Sequence, residues 1–351
     1  MSKPRLYGLD LFRIISAAVV FMFHTVNSGC NYGFLQGFIK NGYVLMTGFF
    51  VLSGYVLYYV YQKKDFSKIG VIVSFFKKRL LGILPTYYVA AIIYVLLFSK
   101  ESIFQNCLLF PIELLGLQSV FSSLFSYSHN GGTWFISCIL ICYFIFPFLQ
   151  IICNQISLKI KVLVLAILVF ILFFSPIIVH YFSLADIYSN PFFRIIEFSI
   201  GVMLSSIQKE SLPKNFANVF FSKVSIVFES LILIFAIQFC YWIDFSQANN
   251  MMISAVSLIP TMLIIYGLGN NSGGELLNNR FVHYLSELTY SFYLAQLFFV
   301  RVSNILLKSF ALPNAIKILV MLLICVLISV ALHELIEKPC NKLCKKICKR
   351  S

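Results

Sequence analysis

Charge is what this sequence has least of. Asp, Glu, Lys and Arg make up 11% of its 351 residues, with 13 acidic side chains against 27 basic ones. A soluble domain of this length needs more charge than that to cover its surface, so a water-soluble globular protein is excluded. No Pro-, Gly- or Ser-rich stretch separates one part of the chain from another, which leaves no linker and no second, soluble domain. The N-terminus lacks a short apolar region followed by an A-x-A-like site, so the first span is expected to stay in the mature protein. Internal repeats are also missing, which argues against the half-to-half symmetry seen in many transporters.

What the chain has instead is hydrophobicity: 60% of its residues are hydrophobic and the mean hydropathy is +0.90. Apolar runs of about 20 residues read as transmembrane helices. Ten are expected, at about 9–27, 41–61, 80–98, 134–153, 162–182, 192–208, 224–244, 251–270, 284–308 and 315–336. The fold class is therefore an all-α integral membrane protein, a bundle of about ten transmembrane helices in one domain (residues 1–351, core 9–339). The net charge of +14 fits basic residues gathered on one side of a membrane, not a nucleic-acid surface. Lys3, Arg5, Lys63, Lys64, Lys68, Lys77, Lys78, Arg79, Lys159, Lys161, Lys209, Lys214, Lys223, Arg280 and the basic tail 340–351 all fall on the side of the termini. That side is expected to be cytoplasmic. Segment 99–133 is then the long external connection. Its apolar middle, interrupted by Pro111, is too short to span and reads as re-entrant or interfacial. Cys138, Cys142, Cys240 and Cys325 read as small core residues. Cys340, Cys344 and Cys348 recur every four residues in the basic tail, where an amphipathic cytoplasmic end explains them better than a metal site.

The first span, LDLFRIISAAVVFMFHTV, holds three ionisable residues, Asp10, Arg13 and His24. Arg13 and His24 share one helix face about 16 Å apart along the axis. Ionisable side chains inside a membrane are costly and mark functional interiors. A neutral imidazole can take a proton from a hydroxyl, although a histidine hydrogen-bonded within the bundle is the plainer alternative. Arg13 either pairs with Asp10 at i, i+3 or holds an anionic ligand.

Further polar positions offer a site wall, each beside a plainer packing role. In the second span, Ser53 stands among Gly42, Gly48 and Gly54, whose plainer role is close helix packing. Lys77, Lys78 and Arg79 stand at the start of the third span and serve as a basic anchor or as phosphate ligands, a role that suits the guanidinium fork of Arg79. Trp134 suits a membrane interface, and Ser137 and Tyr143 follow it on the fourth span. Arg194 and Glu197 stand at i, i+3 and can neutralise each other. Thr289, Tyr290, Tyr293 and Gln296 make the ninth span unusually polar, and three of them follow helical spacing. The last span ends in HELIEKPCNK, where Glu337, Lys338 and Pro339 read as a helix stop.

These segments, in this order, resemble the acyltransferase-3 family of bacterial inner-membrane O-acyltransferases, which includes polysaccharide and O-antigen O-acetyltransferases. The most specific element is R-x10-H, Arg13 to His24. GFFVLSGY at 48–55, KRLLGILPTYY at 78–88, TWFISCILICYFIFP, FRIIEFSIG, LTYSFYL and IEKP match later family blocks. Three positions depart from the family pattern. Gly82 stands where a second arginine is frequent, Ile139 where a glutamate is frequent, and Gln296 where a histidine is frequent.

The resemblance implies ten helices with both termini cytoplasmic and acyl transfer, most directly of acetyl, from cytoplasmic acetyl-CoA to a glycan hydroxyl. The acceptor would be a lipid-linked or exported glycan such as O-antigen, capsule or exopolysaccharide, in the bacterial inner membrane and in contact with its lipid. His24 and Arg13 would be catalytic, and Arg79 and Lys78 would bind the donor. Asp10, Ser53, Trp134, Ser137, Arg194, Glu197, Tyr290, Tyr293 and Gln296 would form the substrate path or polar interior. No bound cofactor, metal or nucleic acid is expected. The competing expectations are an exporter of polysaccharide or lipid-linked sugar and a structural partner in a glycan-assembly complex.

Overall fold

The computed structural model describes residues 4–98, 102–121, 133–182, 187–210, 223–243, 249–270, 278–307, 310 and 312–350. Among these the regular structure is entirely helical. Helix α1 spans Tyr7–Val26, and a short α2 (Gln36–Lys40) leads into α3 (Leu45–Tyr61) and α4 (Ile69–Phe98). Then follow α5 (Ile103–Leu114), α6 (Trp134–Gln155), α7 (Leu158–Tyr181), α8 (Pro191–Glu210), α9 (Lys223–Ile243) and α10 (Asn249–Asn270). The chain closes with α11 (Arg280–Leu307), α12 (Asn314–Leu332), a π turn (His333–Glu337) and α13 (Lys338–Arg350).

Each of the ten expected spans falls on a helix. Eight helical stretches among the described residues are long and apolar enough to cross a membrane, and α11, bent by 58°, makes a ninth. The tenth, α8, falls short because it carries Arg194, Glu197 and three serines. It can be that polar because the bundle encloses it, with most of its residues buried. The protein is an all-α integral membrane protein.

Burial sorts the helices. The apolar stretch of α10 is 72% buried and that of α7 only 17%, so α10 is central and α7 peripheral. The outside of α7 and α9 presents Leu163, Phe170, Phe228 and Phe235, a surface that only lipid tails solvate cheaply. At the centre, α3 and α8 make the most extensive helix pair. A side chain on Gly54 would collide with the Phe198 carbonyl, and one on Gly201 with the Val51 carbonyl, so the two backbones touch where neither residue has a Cβ.

Two local expectations change and a third is narrowed. Helix α4 begins at Ile69, so Lys77, Lys78 and Arg79 lie two to three turns inside it instead of at its start. The chain also does not stop at IEKP. The Lys338 N–H reaches back five residues to the His333 carbonyl, and this wider turn carries the helix through Pro339 into α13. Residues 340–350 are thus an amphipathic helix packed along α4, with Cys344 buried and its Sγ 3.9 Å from the Lys77 carbonyl. The side chain of Cys348 lies outside the described residues. Finally, the apolar middle of segment 99–133 is the helix α5, which starts in a capping box between Ser102 and Gln105. Tyr87 and Tyr88 of α4 donate hydrogen bonds to the carbonyls of Glu113 (3.0 Å) and Leu114 (2.6 Å) and so fasten its far end. Phe104, Leu108 and Phe110 are exposed on it, which is the character of an interfacial helix. The polar SYSHNGG that follows lies outside the described residues.

Candidate functional site

A cavity of about 310 Å³ opens between α1, α3, α4, α6 and α11. Helical periodicity explains which residues face it. On α1 these are Arg13, Ala17 and Val20; on α11 they are Ser286, Thr289, Tyr290, Tyr293 and Gln296, with Glu287 at the edge of the stripe. Steps of three and four residues keep each set on one stripe. Ser53 of α3, Gly82 of α4, Tyr143 of α6 and Glu337 of the π turn complete the polar and open parts of the wall.

The charged end is organised by Asp10, whose side chain is 10% exposed. Ser286 Oγ donates to Asp10 Oδ1 at 2.7 Å, and Arg5 Nε donates to Oδ2 at 2.5 Å. Arg13 Nη1 stands 3.7 Å from the same Oδ1 and 3.4 Å from Ser286 Oγ. Arg13 is therefore the more loosely held cation, and most of its five donors have no partner among the described residues. Arg5 also reaches Glu287 Oε1 at 3.7 Å, but Glu287 is 60% exposed and that pair is weak.

At the other flank, Glu337 Oε2 accepts from Ser291 Oγ at 2.6 Å and lies 2.9 Å from His333 Nδ1. These three link α11 to the π turn. The sequence signal was a histidine and a glutamate four residues apart on one face, masked by Pro339, which reads as a helix end. Arg5 and Ser286 also escaped the sequence reading. Arg5 precedes the first span and looks like an anchor, and Ser286 matters only because α11 crosses α1 at Asp10.

His24 follows Arg13, Ala17 and Val20 on the same stripe of α1, but the cavity wall ends at Val20, one turn short of it. The cavity thus does not run from Arg13 as far as His24 in this structure. His24 is half-buried beside Phe23, with ring centroids 5.1 Å apart, and its ring nitrogens have no hydrogen-bond partner among the described residues.

Arg79 and Lys78 also stand off the cavity. Lys78 is exposed. The Arg79 guanidinium lies over the rings of Tyr61 (5.3 Å), Tyr143 (5.7 Å) and Phe75 (5.9 Å), with its Nε buried and unpaired among the described residues. Tyr143 lines the cavity, so Arg79 backs its wall.

Trp134, Ser137, Arg194 and Glu197 form a separate polar core. Arg194 Nη1 donates to both carboxylate oxygens of Glu197 at 2.7 Å, Nε donates to the Tyr188 carbonyl at 2.7 Å, and Thr47 Oγ1 donates to Glu197 at 2.9 Å. The guanidinium is enclosed by the rings of Tyr188, Trp134 and Phe50. The pair lies within α8 and ties it to α3, so its geometry is that of a structural clamp. Ser137 Oγ accepts from the Ser119 N–H and fixes the end of the external segment.

No curated protein and no solved structure matches the chain. The acyltransferase domain model matches residues 6–334, which takes in the first span, every wall of the cavity but Arg5 and Glu337, and the Arg194–Glu197 clamp. The chain therefore belongs to the acyltransferase-3 family and is a multi-pass membrane acyltransferase.

Proposed function

We propose that this acyltransferase moves an acetyl group from cytoplasmic acetyl-CoA to a hydroxyl of a cell-surface or exported glycan in the bacterial inner membrane. One observation carries the reading. A largely apolar cavity with a charged end begins at a loosely paired arginine, Arg13, and ends one helical turn from His24 on the same helix, a histidine whose ring has no hydrogen-bond partner among the described residues. Arg13 offers a guanidinium fork to the anionic part of the donor, and Arg5 adds a second positive charge beside it. The thioester then stands toward Val20. His24 takes the proton of the acceptor hydroxyl as that oxygen attacks the thioester carbonyl, and the CoA thiolate leaves.

The aromatic side of the cavity suits both a pantetheine arm and a sugar face: Tyr143, Tyr290 and Tyr293 line it. Arg79 acts through Tyr143, and exposed Lys78 adds charge where the nucleotide end of the donor would lie. In this reading Trp134, Ser137, Arg194 and Glu197 hold the bundle and touch neither substrate. A volume of about 310 Å³ suits one arm of a donor, at the low end of small-ligand sites, and favours transfer over passage of a polysaccharide.

The test compares surface glycans by NMR from a deletion strain complemented with wild-type protein or with His24→Ala. The expected result is one O-acetyl signal lost on deletion, restored by wild type, and absent with His24→Ala present at normal level in the membrane. Undiminished acetylation with that variant would remove His24 from the mechanism. Glycan export lost without any change in acetylation would favour the exporter.

A further inference from the structure

Gln296 lines the cavity with 2% of its surface exposed. Its amide can face α1 in one sense only. The Ala17 carbonyl oxygen lies 3.4 Å from Nε2, and a carbonyl accepts hydrogen bonds but never donates, so the nitrogen must take that side. The amide oxygen is left buried, with no hydrogen-bond partner among the described residues. Buried acceptors are paired in the great majority of cases, and one left over on a residue that lines a cavity marks a place for a ligand's donor.

The level of this acceptor narrows the choice of donor. Ala17 lies four residues beyond Arg13 toward His24, about 6 Å along the axis. A ligand whose anionic end is at Arg13 and whose reacting carbon approaches Val20 must cross this level with its linking arm. Phosphates ionised at neutral pH and thioester carbonyls carry no donor hydrogen. The arm of an acyl-CoA carries two secondary amides, each with one N–H, and a single hydroxyl beside its phosphate end, which stays nearer Arg13 than this level. A reacting hydroxyl has a hydrogen too, but that hydrogen must go to a base, which a neutral amide oxygen is not.

Resting on the acyl-CoA reading above, we propose that Gln296 Oε1 accepts a hydrogen bond from an amide N–H of the donor's pantetheine arm. Gln296 is thereby a donor-specificity residue that sets how deep the thioester enters. Ser53 and Tyr293 line the same cavity, so the arm passes between α3 and α11.

The experiment measures acetyl transfer in purified, reconstituted protein with acetyl-CoA and with two analogues in which one amide N–H or the other is replaced by an ester oxygen. It uses wild type, the near-isosteric Gln296→Met and, as a second variant, Gln296→Asn. For wild type, one analogue is expected to lose about tenfold in kcat/KM. Gln296→Met should lose a similar factor with acetyl-CoA, through KM for the donor, and should no longer distinguish that analogue from acetyl-CoA. Gln296→Asn, whose oxygen is withdrawn by one methylene, should fall between the two. Equal kcat/KM for all three donors with active wild type would overturn the proposal and leave the acyltransferase reading intact. A rise confined to the acceptor KM in Gln296→Met would overturn it as well, by assigning the oxygen to an acceptor hydroxyl. No acetyl transfer by wild type from acetyl-CoA would instead overturn the function on which the proposal rests.

Discussion

Ser286 of α11 donates a 2.7 Å hydrogen bond to Asp10 of α1, and Arg13 stands within 4 Å of both partners. This contact couples two helices whose stripes face each other across the cavity. Asp10 is shared between two arginines, and Arg5, at 2.5 Å, has the better claim. Removing the carboxylate should therefore misplace Arg13 as well as loosen the seam. Asp10→Ala is expected to raise the donor KM by about tenfold and to destabilise the protein by about 1–3 kcal/mol, the cost of stranding buried polar groups. Ser286→Ala should cost about 1 kcal/mol. The double variant should cost less than the sum, because both changes break the same contact. Thermal unfolding in detergent and donor titrations of the activity measure these quantities. Strict additivity would mean that the two side chains do not act together.

The Arg194–Glu197 pair makes a different prediction. Both side chains are nearly fully buried, and the arginine is walled by three rings. Taking away one charge leaves the other unpaired in an apolar interior, at a cost of about 3–5 kcal/mol. Arg194→Met should therefore lower the unfolding midpoint strongly. Arg194→Met with Glu197→Gln should recover much of the loss, because no lone charge remains. If the double variant proves less stable than either single one, the pair would have a role beyond mutual neutralisation.

Close approach of α3 and α8 can be tested with a single methyl group. The Cβ of alanine at position 54 would fall well inside contact distance of the Phe198 carbonyl, which cannot swing aside as a side chain can. Gly54→Ala is expected to separate the two helices at a cost of about 1–3 kcal/mol, as overpacking does. Gly70, near the start of α4, has nothing among the described residues within 4 Å of its added Cβ. Gly70→Ala should be neutral or should stabilise by about 0.5–1 kcal/mol. Unfolding midpoints of the two variants, measured side by side, check the contrast.

The bundle was legible in the sequence because membrane helices advertise themselves. With no water to satisfy the backbone, each crossing needs a long apolar run, and the runs predicted here fall on helices. The polar stripe of α11 was legible for the same reason, since Thr289, Tyr290, Tyr293 and Gln296 interrupt such a run at helical spacing. Relations between helices were not legible. Nothing local tells that Arg5 would share Asp10 with Arg13, or that Arg79 would lie behind Tyr143 and not in the open. Pro339 misled in an instructive way. Proline ends a helix in most contexts, but the π turn at His333–Glu337 widens the ladder just ahead of it and lets the helix run on. That turn also carries Glu337 to the cavity, so the local rule failed at a position that lines the site.

Gly82 gives the most direct test that the cavity is where ligand binds. It stands on the wall of the cavity, and among the described residues an added Cβ would meet only the Asn341 Oδ1, at 3.7 Å. That is ordinary contact, so a larger side chain can enter the space without strain on the backbone. Gly in a helix interior is also less favourable than Ala by about 0.8–1 kcal/mol, and Leu ranks just behind Ala, which pushes stability the same way. Gly82→Leu should therefore keep or raise the unfolding midpoint while filling part of the roughly 310 Å³ that the donor needs. Activity is expected to fall at least tenfold, with the loss mainly in the donor KM. Gly82→Ala, which occupies far less of the space, should retain most activity. The pair of variants separates occlusion from damage, because a folding defect would lower the midpoint together with the rate. Full activity in a well-folded Gly82→Leu protein would mean that the donor enters by a different route, and Arg13 would lose its place in the mechanism with it.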